Sequence, residues 1–180
     1  MNIAIPYGGF GVLSGAMFAF AEGNTFVATF GTTLGGLLLA LGLVYVPWTG
    51  IQGAYIQTAV SMASANGVTE AQAMQSGTEA LYTALGVTFM VSMIPVLLLF
   101  ISALRTAIPV AAAALFIVLS FILQGASYLK GQEIVSITKA PGAFNIMVAV
   151  LLWYSAVAVM LEEEGVKFLP VFSLPRNDDE

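Results

Sequence analysis

The chain has 180 residues, of which 59% are hydrophobic and only 8% charged, and its net charge is −5. A soluble domain carries about a quarter charged residues and a disordered chain is poor in apolar ones, so an integral membrane protein remains. With no cysteine and no histidine, disulfides, thiolate metal sites, histidine-ligated haem and histidine acid–base catalysis are excluded, and no cofactor or metal is expected.

The apolar runs lack the strict alternation of barrel strands and are long enough for helices. They predict an all-α, polytopic helical bundle with five transmembrane helices, over roughly 3–20, 26–46, 80–102, 108–128 and 142–161. The N-terminus, MNIAIPYGGF, has no basic leader and no cleavage site, so it does not read as a signal peptide. On a wheel of the first helix, Ala4, Gly8, Gly11, Gly15 and Ala19 share one stripe. Small residues there let another helix approach closely in lipid.

Glu22 is the only charged residue in the first 69 and belongs to a short polar knot, Glu22-Gly23-Asn24-Thr25. Gly23 suits the left-handed end of one helix, and Asn24 or Thr25 suits the cap of the next. The knot therefore predicts a tight helical hairpin, and the helix N-terminus behind it could also face an anion at a pore mouth. The second helix carries two stripes. Gly31, Gly35 and Gly42 form a packing face; Thr25, Thr29, Thr32 and Thr33 form a hydroxyl face, extended by Gly36 and Ala40. Such a pair of faces fits a pore-lining helix, although a threonine can instead bond back to its own helix.

The stretch 48–78, with Gln52, Gln57, Asn66, Gln72, Gln75 and Glu70, reads as a long polar interruption. The next helix contains Pro95, which should kink it. Arg105 marks a turn, and Pro109 fits the first turn of the fourth helix. That helix puts Ser120, Gln124 and Ser127 on one face. After the polar segment KGQEIVSITKA, 130–140, the fifth puts Asn145 on a face with Gly142, Ala149 and Ala156. An amide in hydrocarbon is costly, so Gln124 and Asn145 should face protein or water. Trp153 and Tyr154 lie mid-segment, which suits packing or a lumen better than an interfacial belt.

Residues 1–161 thus form a transmembrane domain and 162–180 a tail, whose Glu162-Glu163-Glu164 and Asp178-Asp179-Glu180 hold most of the acidity. Arg105, Lys167 and Arg176 fall on one side of a five-helix layout and Lys130 and Lys139 on the other. The bias places the tail in the cytoplasm and the N-terminus outside. No span has an acid or base in its middle third. An intramembrane proton relay or an intramembrane enzyme therefore has no groups to work with, and nothing points to nucleic acid.

Four stretches carry a resemblance. YGGFGVLSGAMFAFAEGNTFVATF resembles the second helix and following loop of the acetate uptake transporter family, which includes bacterial succinate–acetate permeases and their fungal relatives. SALRTA, GAFNIMVAVLLWYSAVAVML and KFLPVFSLP resemble that family's LR turn, last helix and LPV tail, in the same order. The resemblance implies six helices around a pore in each protomer and a homo-oligomer, a hexamer, spanning the plasma membrane. It implies passage of small monocarboxylates, chiefly acetate and in some members succinate, with protons or by channel-like conduction. Asn24, Thr25, Thr29, Thr32, Thr33, Leu34, Gln124, Asn145, Tyr154 and Ser155 would line or narrow the path. The glycines at 8, 11, 15, 31 and 35 would pack helices.

The family's first helix, with its NPAPLGL motif, has no counterpart, and several polar positions differ. Val12 stands for a glutamine, Met17-Phe18-Ala19-Phe20 for MWEF, Leu34 for a tyrosine at the narrowing and Ser155 for the asparagine of WYN. Beside transport, these departures raise a second expectation, a truncated or divergent paralogue that assembles or regulates without conducting.

Overall fold

The computed structural model describes residues 4–67, 69–130, 135–166 and 168–172. Among them are six α-helices: α1 (Val12–Ala21), α2 (Thr25–Val44), α3 (Ile51–Asn66), α4 (Glu70–Ala103), α5 (Ile108–Tyr128) and α6 (Val135–Glu163). A π-helical segment, Ala4–Gly11, leads into α1, and a short 3-10 turn, Pro47–Thr49, leads towards α3. The protein is an all-α membrane protein. Among the described residues, four helices are long and apolar enough to cross a bilayer, over Thr25–Val44, Glu70–Ala103, Ile108–Tyr128 and Lys139–Glu163. The fifth expected span corresponds to a shorter apolar helix, Ile5–Ala21.

The residues fall into two compact units, Met1–Val87 with Tyr128–Glu133, and Thr88–Ser127 with Ile134–Glu180. In the first, the polar knot is the hairpin turn. Glu22 closes α1, Gly23 takes φ +81°, and the Asn24 side chain accepts from the Val27 N–H at 3.2 Å, capping α2. The returning helix packs glycine against small residues. A Cβ on Gly31 would lie 2.7 Å from the Ala16 Cβ, and one on Gly35 would lie 2.9 Å from the Leu13 backbone N. Gly9 is as tight against Leu39, and Gly42 against Ile5.

The face of the first helix that meets α2 is thus Ile5, Gly9, Leu13 and Ala16. Of the expected stripe, Gly8 touches Leu38 at the edge. A Cβ on Gly15 would meet nothing within 4 Å, and one on Gly11 only the Pro6 carbonyl of its own segment. The first helix has two adjacent small-residue faces, and the short turn at 22–24 selects which one is rotated towards α2.

The polar interruption 48–78 is itself largely helical. It holds α3 and the first turns of α4, which begins at Glu70 rather than near 80. Glutamine, alanine and methionine are good helix formers whatever their polarity. Gly67, at φ +69°, ends α3 with its N–H on the Ala63 carbonyl. The two helices meet at Gly77, where an added Cβ would lie 2.9 Å from the Ile56 Cα. With 34 residues, α4 is about 51 Å long, against a bilayer core of about 30 Å. Its polar first turns therefore extend beyond the hydrocarbon.

In the second unit, Val96, Ala103, Ala113 and Ala114 are fully buried, with Ile117, Val118, Val148 and Ala158 around them. Phe89 meets Phe121 edge-on at 5.4 Å between ring centres, and Phe116 stacks on Phe144 at 5.7 Å. Both Pro95 and Pro141 lie inside helices. The last helix therefore starts before the expected 142, although its preceding residues 131–134 lie outside the described ones. It ends at Glu163, and Gly165, at φ +78°, then lets the Val166 N–H reach back to the Leu161 carbonyl at 2.8 Å. Residues 168–172 then return to the helices. Lys167 and 173–180, which include Arg176, lie outside the described residues.

Candidate functional site

The candidate residues divide between the units. In the first, Asn24 and Thr25 stand exposed at the start of α2, and Thr33 and Leu34 are half-buried along it. The cap explains why Asn24 is polar: its side-chain oxygen satisfies one of the N–H groups that the first helical turn leaves unpaired. Two of the threonine hydroxyls are committed within α2. Thr29 donates to the Thr25 carbonyl at 2.8 Å, and Thr32 to the Ala28 carbonyl at 2.8 Å. With their protons engaged, Thr29 and Thr32 present oxygen lone pairs and not donors.

The second unit holds the remaining polar groups. The Ser120 hydroxyl, only 2% exposed, donates to Asn145 Oδ1 at 2.9 Å and lies 3.4 Å from the Pro141 carbonyl. It joins α5 to α6 across a sequence separation of 25. Gln124 is half-buried one turn further along α5. Ser127, next on the same face, is fully buried, and its hydroxyl has no hydrogen-bond partner. This face was legible as a 120/124/127 spacing, but its pairing with Asn145 was not, because the partners are distant in sequence.

Tyr154 and Ser155 differ in what they can offer. The Ser155 hydroxyl turns back to the Leu151 carbonyl at 2.9 Å. Tyr154 donates to the Pro170 carbonyl at 2.8 Å, and its ring stacks on Phe172 at 6.5 Å. The Phe172 carbonyl accepts from the Ile108 N–H, at the start of α5, at 3.1 Å. Sequence reasoning missed this return of the tail; the only local signal was the pair of apolar residues after Pro170. Phe172 holds φ +46°, the one non-glycine residue at positive φ among those described.

The apolar stretches 26–46, 80–102, 108–128 and 142–161 contain no Asp, Glu, Lys or Arg. Among the described residues no group of His, Cys, Asp and Glu could hold a metal ion. The chemistry on offer is therefore that of neutral dipoles: hydroxyls, two amides and the phenols of Tyr45, Tyr82, Tyr128 and Tyr154.

Known proteins share this sequence pattern. The model of the GPR1/FUN34/yaaH family matches residues 1–176. Acetate permease A of Emericella nidulans is 30% identical over 179 residues, covering 96% of this chain and 55% of that protein. Ammonia transport outward protein 2 of Saccharomyces cerevisiae is 26% identical over 182 residues, covering 99% and 56%. The chain thus spans about half the length of the curated relatives it matches.

Proposed function

Because the chain belongs to the GPR1/FUN34/yaaH family, we propose that it carries small monocarboxylates, acetate first among them, across the plasma membrane. The path runs inside each protomer of a homo-oligomer, a hexamer by the family resemblance. The observation that carries the reading is the Ser120–Asn145 pair, an uncharged polar contact between two apolar spanning helices. A bare carboxylate in hydrocarbon is prohibitive, but a protonated acid, or an anion touching N–H donors, is not. The likeness to acetate permease A supports acetate as the first substrate to try.

Asn145 offers donors for a carboxylate oxygen, and Gln124 a second amide one turn away on the facing helix. Thr29 and Thr32 contribute lone pairs, which suit the O–H of a protonated acid. In the first unit Leu34 narrows the path and favours the least hydrated form, with Thr33 next to it and Asn24 and Thr25 at the mouth; in the second unit Tyr154 and Ser155 are the further path residues. The name of the yeast relative raises ammonia or ammonium as a cargo. No carboxylate lies in the four apolar stretches to hold a cation, so acetate is the better reading.

Purified protein in lipid vesicles should take up labelled acetate, with uptake rising as external pH falls and competed by unlabelled acetate. Vesicles that take up no acetate at any pH would overturn transport in favour of an assembly or regulatory role.

A further inference from the structure

We infer that Ser120 fixes the Asn145 amide with its N–H donors turned outward, making Asn145 the group that selects a carboxylate over an ammonium ion. The inference rests on the transport reading above and names the residue that sets its specificity. Ser120 has a single hydroxyl proton and is buried beyond the reach of water. Two acceptors compete for that proton, Asn145 Oδ1 at 2.9 Å and the Pro141 carbonyl at 3.4 Å. Hydroxyl hydrogen bonds fall at about 2.5 to 3.0 Å, so Oδ1 takes it. Turning the amide over would put N–H where Oδ1 is and leave the Ser120 proton only the longer contact.

The consequence follows from the geometry of an amide. With Oδ1 held against α5, the NH₂ group points away from Ser120, and Asn145 as a residue is exposed. It donates to nothing among the described residues. Asn145 sits about 9 Å along the helix from Lys139, inside the apolar span. Donors in a low-dielectric setting bind an acceptor strongly. A carboxylate has only acceptors and is matched to them. An ammonium ion has only donors and finds two more donors facing it. Thr29 and Thr32 cannot favour the carboxylate, because their protons are already given to their own helix. Ser120 touches no substrate; it is a positioning residue.

The test uses the full chain in lipid vesicles and two radiolabelled probes, acetate and methylammonium. Asn145→Asp keeps an oxygen for Ser120 but replaces the donors with a charged acceptor. Acetate uptake should fall about tenfold or more, the loss of a hydrogen bond to a charged group at the barrier, while methylammonium uptake holds or rises. Ser120→Ala should move the acetate-to-methylammonium ratio in the same direction, and Ser120→Thr, which restores the hydroxyl, should restore the ratio. This second pair decides if the aspartate variant does not fold.

A third measurement does not depend on transport: the magnetic dipolar contact between the side-chain ¹⁵N of asparagine and ¹³C-carboxyl acetate, assigned to position 145 by its loss in Asn145→Ala. Contact without uptake would uphold the inference and overturn the transport reading. Uptake with no contact and an unchanged ratio in the variants would uphold transport and overturn the inference. Neither contact nor uptake would overturn both.

Discussion

Glycines that look alike in the sequence have opposite fates in the structure. Gly35 faces the backbone of the first helix, and an added methyl would sit 2.9 Å from the Leu13 N. Backbone cannot swing aside as a side-chain end can, so Gly35→Ala should destabilise the hairpin by about 1–3 kcal/mol, the usual penalty for overpacking. Gly15 has nothing within 4 Å of an added Cβ, so Gly15→Ala should be neutral or gain up to about 1 kcal/mol from helix propensity. Thermal unfolding of the two variants in the same detergent checks the contrast; equal destabilisation would mean that Gly15 also faces a helix. Which glycines exist is plain in the sequence. Which of them meet α2 is set by the rotation that the Glu22–Asn24 turn imposes, and no wheel drawn on one helix contains that rotation. Asn24 was more legible, because a cap is a local hydrogen bond, here to Val27 three residues on.

Among the elements, the hairpin and the long apolar helices were legible from composition, whereas α3 and the return of the tail were not. Polarity marks 48–78 as unfit for hydrocarbon, but polarity alone does not say whether such a stretch is helix or loop. A glutamine-rich segment forms helix readily in water, and Gly77 gives it a close seat on α4. The tail is held by non-local contacts: the Tyr154 hydroxyl on the Pro170 carbonyl, the Phe172 ring on Tyr154 and the Phe172 carbonyl on the Ile108 N–H. Tyr154→Phe keeps the ring and deletes the first contact. The tail should then open more often by the worth of one hydrogen bond, about 0.5–1.5 kcal/mol, or roughly two- to tenfold faster limited proteolysis after Glu164 when opening and closing are fast relative to cleavage. An unchanged cleavage rate would show that stacking and the Ile108 bond hold the segment without the phenol.

At the scale of the whole molecule, the sidedness of the chain follows from one end of the second unit. The Arg105 turn leads directly into the start of α5, and the Ile108 N–H there bonds to the tail at Phe172. The end of α6 lies at the same end, since Tyr154 in its last third reaches Pro170. Arg105 therefore shares a side with the tail, whose Lys167 and Arg176 bring the basic residues there to three against Lys130 and Lys139 on the other side, and the larger share favours the cytoplasm. The polar start of α4 is separated from that side by the apolar length of α4 itself. Because the chain has no cysteine, single cysteines can report each side without a background. Gln75→Cys, on the exposed early turns of α4, should react with an impermeant maleimide on intact cells. Glu164→Cys, just past α6, should react only after permeabilisation. Three spans, α4, α5 and α6, lie between the two positions, and an odd number of crossings must leave them on opposite sides. Labelling of both from outside would mean that one of the three does not cross, and would remove the continuous apolar frame on which the Ser120–Asn145 pair depends. Reversed labelling would keep the three crossings but turn the protein over, placing Asn145 nearer the cytoplasmic face and reversing the side from which a carboxylate first meets it.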